Sequence, residues 1–197
     1  MKLLTTIQGI LLLFASGTLS GQTTESLLGD FAARISKAPA IEAAFIWNET
    51  AEGTMILQGN MFYISMDEFF IYCNGEKKWF YNQGIDQWEE LPHDKNSADV
   101  LENPSAFFSR LNEDFYHPRT PVKKTGTAGK PLWELSLVPH SIEGLFSYVV
   151  MTLDAGDMTP LSVRYALSDG SEYTVKLLSF KNVPLRPESF FSPDVSP

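Results

Sequence analysis

From Ile41 onward the chain is a succession of short apolar runs separated by turn signals of two or three residues, and this pattern limits the folds open to it most severely. Ile41, Ala43, Phe45 and Trp47 alternate, and Met55 and Leu57 follow after Gly53. A turn at Gly59-Asn60 leads into residues 61–66, residues 69–73 come next, and a turn at Asn74-Gly75 leads into residues 78–82. After Gln83-Gly84 the chain turns back through residues 86–90. Connections this short join antiparallel neighbours and leave no room for parallel crossovers. Further strands are expected at 132–138, 145–153, 161–167 and 173–180, with a short one around Val122 in an otherwise loop-like segment holding three prolines. The reading is a mainly β chain of about ten or eleven strands.

Several of these runs are apolar on both faces. In residues 61–66 one parity holds Met61 and Tyr63, and the other holds Phe62, Ile64 and Met66. In residues 69–73 one holds Phe69 and Ile71, and the other holds Phe70 and Tyr72. A sheet with one wet face should alternate cleanly. Something apolar must therefore lie against each side. A cavity, a lid or a partner would provide it, and so would a sheet sandwiched between helices and loops. Two helices are expected. Residues 25–37 place Leu27, Leu28, Phe31 and Ile35 on one stripe, with Arg34 and Lys37 in the last turn and Pro39 beyond it. Pro104 starts a second, with Phe107, Phe108 and Leu111 on one side.

The first residues read as an export signal. Lys2 precedes an apolar run through residues 10–14, and small residues surround positions 16–21. The run is too short to span a bilayer. Residues 1–21 are thus expected to be a cleaved signal peptide and 22–197 a single domain. No cysteine stands near the cleavage point, so the chain is not expected to be acylated itself. Losing Lys2 takes the formal charge from −9 to −10, set by 15 basic and 24 acidic residues in the full chain. An acidic surface repels nucleic acid and anionic membranes at long range. The one cysteine, Cys73, sits in an apolar run and is expected in the core.

No catalytic arrangement is legible. His93, His117 and His140 share no metal-ligand spacing, and no nucleophile elbow or phosphate-binding loop is present. Glu89 and Glu90 are adjacent, so in a strand they point to opposite faces. We expect no enzyme, metal or cofactor. What remains is apolar capacity, in 14 Phe, 7 Tyr and 4 Trp on a chain with only 20% charged residues. Acyl chains need little else, since each buried methylene gains about 0.8 kcal/mol.

One stretch is more specific. Residues 74–82 read NGEKKWFYN, followed by Asp86-Gln87. This resembles the LolA family of periplasmic lipoprotein carriers, whose corresponding hairpin runs Asp-Gly, three residues, then Trp-x-Tyr-Asn/Asp. The strand pair within 53–64, Asn103-Pro104 before Phe107-Phe108, Pro139 at a strand end and Phe190, Phe191 and Pro193 near the C-terminus agree with that family in order. The resemblance implies an open, unclosed antiparallel β-barrel of about eleven strands covered by a helical lid. It implies a monomer in the periplasm that holds the acyl chains of lipoproteins, receiving them from an inner-membrane lipoprotein-release transporter and passing them to an outer-membrane acceptor. The alternative is a module on the same scaffold that binds another lipid or hydrophobic ligand. Gly59 and Asn60 stand where the family often has an Arg-Pro that helps latch the lid.

The expected apolar lining follows from one parity per strand: Phe45, Trp47, Met55, Leu57, Met61, Tyr63, Phe69, Ile71, Trp79 and Tyr81. Leu28, Phe31, Ile35, Phe107, Phe108 and Leu111 would cover it from the helices. Trp79 is expected to be largely buried.

Overall fold

A computed structural model describes residues 22–95, 103–109, 111–116, 119–140 and 146–194. The expected signal peptide, His117 and Leu145 lie outside the described residues. Helix α1 (Thr24–Lys37) starts on Thr23, whose hydroxyl accepts from the Ser26 amide, and it buries Leu27, Leu28 and Phe31. Capping of this kind satisfies an amide that the first helical turn leaves without a partner. The strands are β1 (Ala40–Trp47), β2 (Ala51–Gln58), β3 (Met61–Met66), β4 (Phe69–Cys73), β5 (Lys77–Asn82) and β6 (Gln87–Pro92). Short helices α2 (Pro104–Ser109) and α3 (Leu111–Asp114) follow, then β7 (Phe115–Tyr116), β8 (Val122–Thr125), β9 (Pro131–Pro139), β10 (Phe146–Asp154), β11 (Pro160–Leu167) and β12 (Glu172–Val183).

All strands described join one antiparallel sheet in the order β6-β5-β4-β3-β2-β1-β12-β11-β10-β9-β7, with β8 also paired to β9. Both ends of the order are free edges, so the barrel does not close. The fold is the mainly β, open antiparallel architecture expected. Among the described residues twelve strands are found; the one not expected is β7, which pairs with the same edge of β9 as the short strand around Val122, β8. Pro121 lies between them and cannot donate a ladder hydrogen bond. The second expected helix is described over Pro104–Ser109 and Leu111–Asp114.

The sheet is built by chain-local hairpins. Gly59 (φ +57°) and Gly75 (φ +87°) each take the first central position of a two-residue turn, where a left-handed backbone is required. At the second of these the Asn74 side-chain oxygen accepts from the amides of Glu76 (3.0 Å) and Lys77 (2.9 Å), which holds the turn shut. The turn is therefore centred on Gly75-Glu76, one residue later than the sequence reading placed it. Between β1 and β12 the register slips: Ala44 faces Ser179, and Phe45 faces Leu177. The bulged Leu178 points outward and is 54% exposed, while Leu177 and Phe180 on either side both turn inward.

One core runs beneath the helices and along the inner face, from Leu27, Leu28 and Phe31 through Leu135, Leu137, Val149 and Met151 to Phe62 and Cys73. Cys73 is fully buried, as the apolar run around it requires. His93 departs from the reading of a solvated loop residue: it is partly buried and its ring meets Phe62 edge-on at 5.8 Å. The Phe62 ring offers it an apolar seat that its position beside a proline does not reveal. His140 is exposed.

Candidate functional site: an apolar cavity on the inner face

Helix α2 lies over β2 and β3, and α1 packs against α2 and α3, so the helices cover only part of the inner face. The uncovered part is a cavity of about 280 Å³ that is partly open to solvent. That is near the lower end of small-molecule sites, which run to roughly 300–1,000 Å³. Its walls are Phe45 and Trp47 of β1, Met55 of β2, Ile64 and Met66 of β3, Phe69 and Ile71 of β4 and Phe80 of β5. Val163 and Tyr165 of β11 and Val175 and Leu177 of β12 complete them, and Phe108 of α2 hangs in from above. None of these described lining residues carries a formal charge, and the wall they expose is almost entirely carbon and sulfur. Phe69, 39% exposed, stacks on Phe80 at 5.6 Å, and Trp47 meets Tyr165 and Tyr173 at 6.1 and 5.5 Å. Such a surface offers dispersion and the hydrophobic effect.

Cross-strand pairing explains why these residues converge. Met55 faces Ile64, Ile64 faces Ile71 and Ile71 faces Phe80, so one row crosses β2 to β5 on the same side. Six of the residues expected to line a cavity do so: Phe45, Trp47, Met55, Phe69, Ile71 and Phe108. Ile35 and Leu57 instead line a smaller pocket of about 210 Å³ with Ser36, Ala38, Ile41, Gly59 and Asn60, between the end of α1 and the β2–β3 turn. Leu28, Phe31, Phe107 and Leu111 are buried in packed core and leave no free space.

Met61, Tyr63, Trp79 and Tyr81 correct the expectation outright, since they lie on the opposite face. Tyr63 faces Tyr72, which faces Trp79, and this row has the other parity from Ile64, Ile71 and Phe80. Trp79 is half-buried rather than largely buried. The outer face is nonetheless apolar because its rings cover one another: Tyr63 meets Tyr72 at 5.0 Å and Phe190 at 5.4 Å, and Tyr81 stacks on Trp88 at 4.4 Å. Burial, with the Tyr63 and Tyr81 phenols nearby, pushes the Tyr72 hydroxyl above its ordinary value. A hydrogen bond from the Tyr81 hydroxyl to Asp86 (3.0 Å) does the same for Tyr81.

The lining residues that the sequence reading missed are Ile64, Met66, Phe80, Val163, Tyr165, Val175 and Leu177. The two-residue turn at Gly59-Asn60 was a usable signal. It pairs Gln58 with Met61, so an inward Met55 requires an inward Ile64.

The helical cover is fastened by contacts to the β10–β11 turn and to Arg119. Arg34 of α1 donates to the Asp157 carbonyl and to the Thr159 hydroxyl (2.8 Å) in the β10–β11 turn, lies 3.7 Å from the Asp157 carboxylate and sits over the Phe180 ring at 5.8 Å. The Thr159 hydroxyl and amide, and then Arg34, hold the Asp157 carboxyl below its ordinary value. At the α1 start, the Thr24 hydroxyl donates to the Arg119 carbonyl (2.9 Å).

Taken together, the half-open antiparallel sheet and its helical cover enclose an apolar space on the inner face. No protein-family model matches the sequence, and no curated protein matches it in sequence. Among solved structures the chain is similar to an uncharacterized conserved protein from Thermus thermophilus, with a TM-score of 0.57 and 13% identity over 87% of this chain and 94% of that one. It is also similar to a LolA superfamily protein from Nitrosomonas europaea (TM-score 0.44, 11% identity, 88% and 99% covered) and to the Mycobacterium tuberculosis lipoprotein LppX (TM-score 0.49, 7% identity, 83% and 97% covered). At these identities the likeness is one of fold.

Proposed function

We propose that the chain is an exported, periplasmic carrier that holds the acyl chains of lipoproteins in the inner-face cavity and moves them from the inner to the outer membrane. The observation that carries this reading is the cavity itself: thirteen side chains from seven strands and a helix converge on one open space without a charged group among them. A chain inserted there gains roughly 0.8 kcal/mol for each methylene withdrawn from water. The polar part of the cargo must remain at the mouth, near Phe69, because the interior offers it no partner. Further support comes from the signal-like residues 1–21 and from the NGEKKWFYN hairpin, which resembles that of the LolA family. No helix among the described residues is long and apolar enough to cross a membrane. Residues 22–197 would act as one domain and as a monomer, with an inner-membrane release transporter and an outer-membrane acceptor as partners.

The space present holds part of one acyl chain. Larger cargo requires α1 and α2 to lift, at a cost of a few kcal/mol that bound lipid offsets. The test is release of a lipoprotein from inner-membrane vesicles into the soluble fraction by the purified mature chain. Release by wild type and its loss in Ile64→Glu or Met66→Glu is expected, since an unpaired charge in an apolar pocket is costly. Folded variants that release cargo as well as wild type would remove the cavity from the mechanism.

The alternative, a carrier of some other lipid, draws on the pocket that Gly59 and Asn60 line together with the end of α1. Lipid copurifying in defined ratio without lipoprotein release would favour it.

A further inference from the structure

Gly53 and Phe45 face each other directly on β2 and β1, both on the inner face. A Cβ at Gly53 would lie 2.4 Å from Cζ and 2.7 Å from Cε2 of Phe45, and 2.9 Å from the Ser65 carbonyl oxygen. The outer end of the Phe45 ring therefore occupies the space that a side chain at Gly53 would fill. The glycine does not serve backbone conformation, since its φ is not among the positive ones. A glycine inside a strand weakens it, and a cross-strand aromatic that covers the glycine is a known remedy. Here the arrangement has a second consequence, because Phe45 is also a cavity wall. Any larger residue at 53 would drive the ring about 1 Å or more off the sheet to reach ordinary carbon–carbon contact. Phe45 is one wall of the open space, so a displaced ring changes that space.

We propose that the Gly53–Phe45 pair gauges the cavity: the ring seated over Gly53 sets how much of an acyl chain can enter, and so which chain lengths bind best. This rests on the acyl-binding reading above and adds a size limit to it. The mature chain is titrated with octanoate, laurate, palmitate and stearate, each displacing a fluorescent naphthalene probe. Gly53→Ala is expected to shift preference toward the shorter acids, by about fourfold for each methylene that no longer fits. Phe45→Leu should shift it toward the longer ones, and the double variant should return toward wild type. If Gly53→Ala does not fold, Phe45→Leu decides alone. Wild-type binding with the same chain-length order in every folded variant overturns the gauge and leaves the acyl reading intact. Displacement by none of the acids overturns the acyl reading, and the gauge is then judged from a crystal structure of Gly53→Ala or, failing that, Phe45→Leu. A raised ring and smaller cavity in the first, or an enlarged cavity in the second, supports it, and an unchanged cavity overturns it.

Discussion

The Phe31 ring of α1 meets the Phe108 ring of α2 edge to face, with centroids 6.0 Å apart. Phe31 is fully buried core, whereas Phe108 is a wall of the cavity. The contact thus ties the long helix to the residue by which, among the described residues, the helical cover reaches the cavity. Removing it should loosen the cover and deprive the core of a large ring. Phe31→Ala is expected to cost about 3–5 kcal/mol. A double-mutant cycle with Phe108→Ala should return a coupling of roughly 0.5–1.5 kcal/mol in denaturant unfolding. A coupling indistinguishable from zero would mean that the two helices move independently.

Arg34 should behave as the fastening of α1. Arg34→Ala is expected to raise amide hydrogen exchange in α1 with little change in the strands, because its partners sit in the β10–β11 turn. Acid should act in the same direction. The Asp157 carboxyl is lowered in the folded protein, chiefly by its hydrogen bond with Thr159, so its contribution is present above the ordinary carboxylate range and is lost as pH falls through the folded value. The carboxylate is 66% exposed on its side chain, so the effect on global stability is small, and exchange rates are the proper readout. Asp157→Asn should remove the pH dependence. Equal exchange in wild type and Arg34→Ala would assign the fastening elsewhere.

Gln58 holds the C-terminal segment. Its side-chain amide donates to the Arg186 carbonyl (3.0 Å) and its oxygen accepts from the Arg186 amide (2.8 Å), with only 8% of the residue exposed. Gln58→Leu keeps the volume and strands both backbone groups, at about 1–3 kcal/mol. For a chain of this size that is a fall in Tm of about 2–4 °C per kcal/mol. An unchanged Tm would mean that Arg186 finds water instead.

How much of this was readable beforehand depended on whether the physics was local. The hairpin order of β2 to β6 was legible because turns of two to four residues leave one pairing, and the α1 stripe of Leu27, Leu28 and Phe31 was legible from its spacing. The face of β3 and β5 was not. Both parities are apolar there, so hydrophobicity could not separate Ile64 from Tyr63 or Phe80 from Tyr81. The Trp-x-Tyr of the LolA-like hairpin suggested the wrong one. Only the chain of registers starting at Met55 decides, and it required carrying pairing through every turn. Val163, Tyr165, Val175 and Leu177 were out of reach for a different reason. They come to the cavity through the β1–β12 pairing, which joins the two ends of the chain and has no local signature.

That ambiguity makes adjacent residues the sharpest probe of the central claim. Ile64 lines the cavity, and Tyr63, its neighbour, lies on the outer face against Tyr72 and Phe190. A photoreactive phenylalanine analogue placed at one position or the other, in exported protein carrying its native cargo, reports which face touches lipid. Crosslinking to acylated cargo from position 64 and not from position 63 is the predicted result. Crosslinking from 63 alone, or equally from both, would contradict the account, because the cargo would then lie on the aromatic outer face or on no defined face.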